Sequence, residues 1–250
     1  VTITKTIPAI NTATGKPRYS SRGGAKVRLL ILHTMEGART VEACGSWFRN
    51  PAAPNASSHV GIDDDDTALY VPYEYSAWTA ASANPVADQA ELAAFAAWSP
   101  AEWDTHAGMI ERTAQWVAER AKARGIPLVR LHDKQTKTGT GVCMHVDITR
   151  GWGVGTHQDC GASFPIDRII ARAIQINTVN LVEDIVASLN DDEKGRLMRA
   201  IDNYNRTWDE MQESKVDGKK LWLADALMFQ EANVAKVPAL LQRLVDKLGA

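Results

Sequence analysis

Val27-Arg28-Leu29-Leu30-Ile31-Leu32-His33-Thr34-Met35-Glu36-Gly37 is an apolar run that ends on a histidine and passes at once into a glycine-containing segment. Residues 27–32 read as a buried strand and residues 34–37 as the loop leaving it. His33 then stands at the carboxyl end of a core strand, where open α/β sheets gather their chemistry. Two later polar clusters complement it: Val142-Cys143-Met144-His145-Val146-Asp147 and Thr156-His157-Gln158-Asp159-Cys160-Gly161. Together they hold the side-chain types of a zinc site that takes three protein ligands and leaves one position for water. His33, His145 and Asp159 are the candidate ligands.

The 250 residues, 45% hydrophobic and 23% charged, suffice for one large domain or a domain with an appendage. A formal net charge of -2 gives no general case for nucleic-acid binding. No apolar stretch has the length of a membrane span. Residues 1–10 lack the basic start and long apolar core of a signal peptide. Cys44, Cys143 and Cys160 are odd in number and irregular in spacing, so no disulfide framework is expected and synthesis in a reducing cytoplasm is the default. Cys44 reads as a small buried hydrophobe on a helix.

Working outward, residues 1–26 read as a lead-in rich in Pro, Gly, Ser and Thr. Thr40 caps a helix that runs to about Arg49, with Val41, Cys44 and Phe48 on one face, and Asn50-Pro51 stops it. Residues 58–62 and 68–71 flank Asp63-Asp64-Asp65-Asp66 as a β-hairpin around a solvated turn. The ligand spacing and glycine of a calcium loop are absent there. Residues 87–95 fit either a helix or a short buried strand. Ser99-Pro100-Ala101-Glu102 is a capping box. Behind it Trp103, Ala107, Ile110, Ala114, Val117 and Ala121 mark an amphipathic helix that Gly125 ends. Residues 128–131 read as a short strand, and 166–176 as the last core helix.

Beyond about residue 178 glycine and proline become rare and strand signals vanish. Leu197, Ile201, Tyr204, Trp208 and Met211 recur at four-three spacing, as do Val234, Val237, Leu241, Leu244 and Leu248. Residues 178–250 therefore read as an all-α appendage whose stripes pack on each other, on the main domain or on another chain, as an oligomerisation or cell-wall-binding element.

Leu30-Ile31-Leu32-His33-Thr34, Ser57-Ser58-His59-Val60-Gly61-Ile62-Asp63, and His145 with Asp159-Cys160-Gly161, in that order, resemble the type 2 N-acetylmuramoyl-L-alanine amidases of the peptidoglycan-recognition-protein fold. The likeness is to the endolysins of actinobacteriophages and extends over about residues 27–170. It implies an α/β domain over residues 1–177, with a mixed central sheet flanked by helices and Zn2+ held by His33, His145 and Asp159. In many members the third ligand is cysteine, in others aspartate. Asp159 is the preferred third ligand here and Cys160, a softer donor, the alternative. The resemblance makes 87–95 a strand and nominates Glu91 as general base. It places His157 where the family often carries a lysine that steadies the oxyanion. His59 falls on a family histidine that lines the groove or braces the sheet. Trp78-Thr79 departs from the family's Trp-His pair, and Trp78 retains a flat face for substrate. The implied partner is bacterial peptidoglycan, and the implied setting is host-cell lysis: synthesis in the host cytoplasm, then holin-dependent release onto the wall. A non-catalytic peptidoglycan-binding module on the same fold is the alternative.

Overall fold

The structure is a computed structural model that describes residues 1–188, 190–192 and 194–195. The opening apolar run becomes β3, Leu29–Thr34, every residue of it buried. It lies next to the edge of a six-stranded sheet. The order is β1 (Lys5–Thr6), β5 (Thr67–Leu69), β4 (Val60–Ile62), β7 (Ala87–Leu92), β3 and β8 (Gly141–Met144). From β4 to β8 the neighbours run parallel; β5 turns antiparallel to β4, and β1 follows β5. The sheet is therefore mixed. A separate antiparallel ribbon pairs β2, Tyr19–Ser21, with β6, Tyr75–Ala77.

A parallel strand covered on both faces needs apolar residues at successive positions, and β3 supplies them. Leu30 and Leu32 pack with Ala90, Ala114, Val117 and Ala121 on one face. Leu29 and Ile31 pack with Ala87, Cys143 and Ile148 on the other. Each of these leucine and isoleucine side chains is fully buried, worth roughly 1.5–3 kcal/mol apiece.

Helix α1, Val41–Arg49, begins under Thr40, whose hydroxyl accepts from the Ala43 N–H, and buries Val41, Cys44 and Phe48. The four aspartates do join two antiparallel strands, β4 and β5. The turn is less solvated than its sequence suggests. Asp63 is buried and accepts from the backbone N–H groups of Val41, Asp65 and Asp66.

The Ser99–Glu102 capping box opens α2, Pro100–Asp104. The expected single helix is broken after it, and α3, Ala107–Arg124, starts afresh and ends on left-handed Gly125. His106 lies between them, stacked on Trp98 at 4.3 Å and held 2.5 Å from Asp64, which pulls its backbone out of the helical region. Residues 128–131 contribute only an isolated bridge, Arg130 to Val142. Helix α4 is His145–Trp152, and α5, Ile166–Ser188, runs past residue 176.

The lead-in is built into the fold. Its β1 extends the sheet, and Arg18 and Arg22 are buried. Arg18 donates to the carbonyls of Asn50, Ala53 and Pro54. Contacts divide the chain into Val1–Asn177 and Thr178–Ala250. The two apolar stripes expected at 197–211 and 234–248 lie outside the described residues. Among the described residues no helix is long and apolar enough to cross a membrane.

Candidate metal centre

Strand β3 carries His33 to the carboxyl end of the sheet. Beside it, β8 stops at Met144 and α4 begins with His145, so the second histidine stands where a strand gives way to a helix N-terminus. The loop after α4 returns to this edge. There the Val146 N–H donates to the Asp159 carbonyl at 2.7 Å, which locks the third residue in place.

The three side chains converge. His33 Nδ1 lies 3.1 Å from His145 Nδ1, His145 Nδ1 lies 3.2 Å from Asp159 Oδ2, and His33 Nδ1 lies 3.5 Å from the same oxygen. All three residues are buried. Tetrahedral zinc with bonds of about 2.0–2.1 Å separates its donor atoms by about 3.3 Å. The observed triangle matches one face of such a tetrahedron, and its two imidazoles and one carboxylate form a donor set zinc accepts.

Protonation states agree with that use. Burial, then the neighbouring His33, lowers the His145 pKa and keeps the ring neutral. Burial works to raise the Asp159 pKa, but the neighbouring His145 and His33 outweigh it and hold the carboxyl far below the usual range. A neutral His145 ring and an ionised Asp159 carboxylate are forms that bind a metal.

Cys160 takes no part in the triangle. Its thiol is buried and donates to the Leu32 carbonyl at 3.1 Å, and burial pushes its pKa well up.

Glu91 pairs across the ladder with His33, so the two side chains leave the same face of the sheet. It is only 8% exposed, and its Oε2 has no hydrogen-bond partner among the described residues. Burial, then the charges of Asp159 and Glu36, raise its pKa well above the carboxylate range. A buried polar atom left unpaired is costly and points to a role outside the resting protein.

His157 sits at the rim with a side chain 62% exposed. Its ring stacks on His145 at 4.2 Å, and its Nδ1 lies 3.7 Å from Asp159 Oδ1. Partial burial, then His145, lower its pKa, which favours a neutral N–H donor over an imidazolium.

His59 does not line a groove. It is fully buried, stacks on Tyr73 at 5.6 Å, accepts the Gln89 N–H at Nδ1 and lies 3.0 Å from the Tyr75 carbonyl. The expectation of substrate contact at His59 is corrected: the side chain braces β4 against β7. Trp78 is partly exposed, and its indole N–H donates to the Ser20 hydroxyl.

Two residues near the centre escaped the sequence. Gln89 is completely buried on β7, and its Oε1 lies 3.2 Å from His33 Nε2. Strand alternation carries a signal for it, since position 89 shares a face with 91. Glu36 accepts from the Thr34 hydroxyl and the Ala96 N–H, and no local pattern announces it.

No protein-family model matches the chain, and no curated protein matches its sequence. Solved structures do match in shape. The hydrolase AmiA of Staphylococcus aureus, solved in complex with its ligand, is similar at a TM-score of 0.53 and 18% identity, over 70% of this chain and 87% of AmiA. AmpD is similar at a TM-score of 0.49 and 17% identity, over 69% of this chain and 95% of AmpD. The endolysin N-acetylmuramoyl-L-alanine amidase LysCS of Clostridium intestinale URNW reaches 0.45 at 13% identity, over 68% and 96%. The chain has the type 2 amidase fold, a mixed sheet with flanking helices.

Proposed function

We propose that the chain is a zinc-dependent N-acetylmuramoyl-L-alanine amidase. It hydrolyses the amide between the lactyl group of N-acetylmuramic acid and L-alanine in bacterial peptidoglycan, as a phage endolysin. One observation carries the reading: a triangle of buried zinc donors beside a buried carboxylate oxygen that has no partner among the described residues.

His33, His145 and Asp159 would hold zinc, which would polarise the scissile carbonyl and acidify a water. Glu91 moves the proton. As the water oxygen bonds to the carbonyl carbon, Glu91 takes its proton, and it returns that proton to the alanine nitrogen as the C–N bond breaks. A carboxyl group whose pKa is raised by burial is suited to both halves of that cycle. His157 donates its N–H toward the carbonyl oxygen as negative charge gathers there. Trp78, anchored by Ser20, offers a flat apolar face to sugar or peptide.

The setting follows from the same reading. The protein is made in the host cytoplasm, passes to the wall by a holin-dependent route, and uses residues 178–250 for self-association. A monomer in light scattering of the full chain would reassign that region to wall binding.

Digestion of purified peptidoglycan by the zinc-loaded protein tests the activity. New amino termini on L-alanine with no new reducing sugar ends is the expected result. New reducing ends instead would indicate glycosidic cleavage and overturn the proposal. Retention on the wall with neither product would make the protein a binding module.

A further inference from the structure

We infer that Gln89, held by Asn84 and Thr79, is a positioning residue that fixes the tautomer of His33 and so points its Nδ1 lone pair at the metal. This rests on the zinc reading above.

Atoms that can only donate or only accept fix the orientation of the Gln89 amide. The Ala80 backbone N–H donates to Asn84 at 2.6 Å, so the Asn84 atom there is its carbonyl oxygen. One end of the Gln89 amide meets that oxygen at 3.2 Å and the Ala77 carbonyl at 3.1 Å. Both neighbours only accept, so this end is the NH2. The other end is therefore the carbonyl oxygen. It receives the Thr79 hydroxyl at 2.5 Å and faces His33 Nε2 at 3.2 Å. A carbonyl oxygen cannot donate, so His33 Nε2 carries the ring proton.

An imidazole that ligates through Nδ1 keeps its one ring proton on Nε2, where the Gln89 oxygen accepts it, and Nδ1 is the atom that faces His145 and Asp159. Were the Gln89 amide reversed, its NH2 would seek the Nε2 lone pair, and Nδ1 would carry the proton and repel a cation. Complete burial of Gln89 keeps water from substituting for either contact. Hydrogen bonds to the far nitrogen of a metal-bound histidine commonly set ring orientation and affinity in this way. Thr79, where the chain departs from the Trp-His pair, gains a use: its hydroxyl holds the oxygen of Gln89.

The full-length protein tests this with two readouts besides activity. Nitrogen–proton correlation spectra of the metal-free protein report which nitrogen of His33 is protonated, and competition with a fluorescent chelator reports zinc affinity. The wild type is expected to show Nε2–H on His33. Gln89→Met is expected to mix the tautomers and weaken zinc about 10–100-fold. Thr79→Val, at a partly exposed position, is expected to shift both readouts the same way by less, and it carries the test if Gln89→Met does not fold. Nδ1–H on His33 in the wild type overturns the inference and leaves the zinc site standing. So does zinc affinity within about twofold of wild type in folded variants. A wild type that binds no zinc at all overturns the zinc reading itself, and this inference with it.

Discussion

Asp88 and Glu91 stand three residues apart on β7, both buried carboxylates, on opposite faces of one sheet. Asp88 is saturated. Arg22 donates to it at 2.6 Å, Arg124 at 2.9 Å and Arg120 at 3.0 Å. Burial would raise its pKa, but His59 and the arginines hold it below the ordinary range. Among the described residues Glu91 has no guanidinium beside it and keeps one oxygen unpartnered, and it is pushed well up by burial and by Asp159. A carboxylate ringed by cations is inert, because its proton affinity is spent on fixed partners. One left short of partners can still trade a proton. Burial alone therefore does not mark a candidate proton carrier; burial without satisfaction does.

The largest expected effect lies on the saturated side. Asp88→Asn removes the counter-charge of three guanidinium groups and should cost about 3–5 kcal/mol in chemical denaturation, as for other broken buried pairs. A midpoint equal to wild type would mean that the arginines are solvated in solution and the contrast with Glu91 is lost. Glu91→Gln should do the reverse. Denaturation should be unchanged or improved, since a neutral amide replaces a destabilised acid, while turnover on peptidoglycan falls by roughly two orders of magnitude or more. Near-normal turnover would remove Glu91 from the proton path.

A smaller effect sharpens the account of His59. Burial holds its pKa at about 4 against 6.5 for the free side chain, and Arg22 and Arg120 also disfavour a second proton. Between those values the unfolded chain binds the proton and the folded one does not, so stability falls as pH drops from 6.5 toward 4. In His59→Gln that slope should flatten by up to about 1.4 kcal/mol per pH unit. Identical slopes in the two proteins would show that His59 is not held neutral. The smallest effect belongs to Cys160→Ser, which keeps a donor for the Leu32 carbonyl. Metal analysis should find its zinc intact, and loss of the metal would restore the thiol as third ligand.

What the sequence disclosed was local. The unbroken apolar run of β3, the Thr40 cap, the aspartate turn and the Ser99 box each depend on neighbours a few residues away. What it concealed was settled at long range. Arg22 in the Pro- and Gly-rich lead-in is buried against Asp88, 66 positions away, and against the carbonyls of Tyr73, Pro85 and Ala87. The break at His106 needs Asp64, 42 positions back. In the candidate site His33 was legible as the polar end of an apolar strand, and Asp159 and His145 as members of polar clusters. Glu91 came from family resemblance alone, because no periodicity marks an oxygen without a partner. Strand alternation places Gln89 on the face of Glu91, but its partner His33 lies 56 positions away and only the fold names it.

Zinc stoichiometry is the most direct test of the central claim. Full-length protein, stripped of metal, reloaded and freed of excess ion, should carry one zinc per chain by elemental analysis. His33→Ala and His145→Ala should carry none while retaining a cooperative unfolding transition. One zinc per chain in both folded variants would place the metal elsewhere and contradict the account.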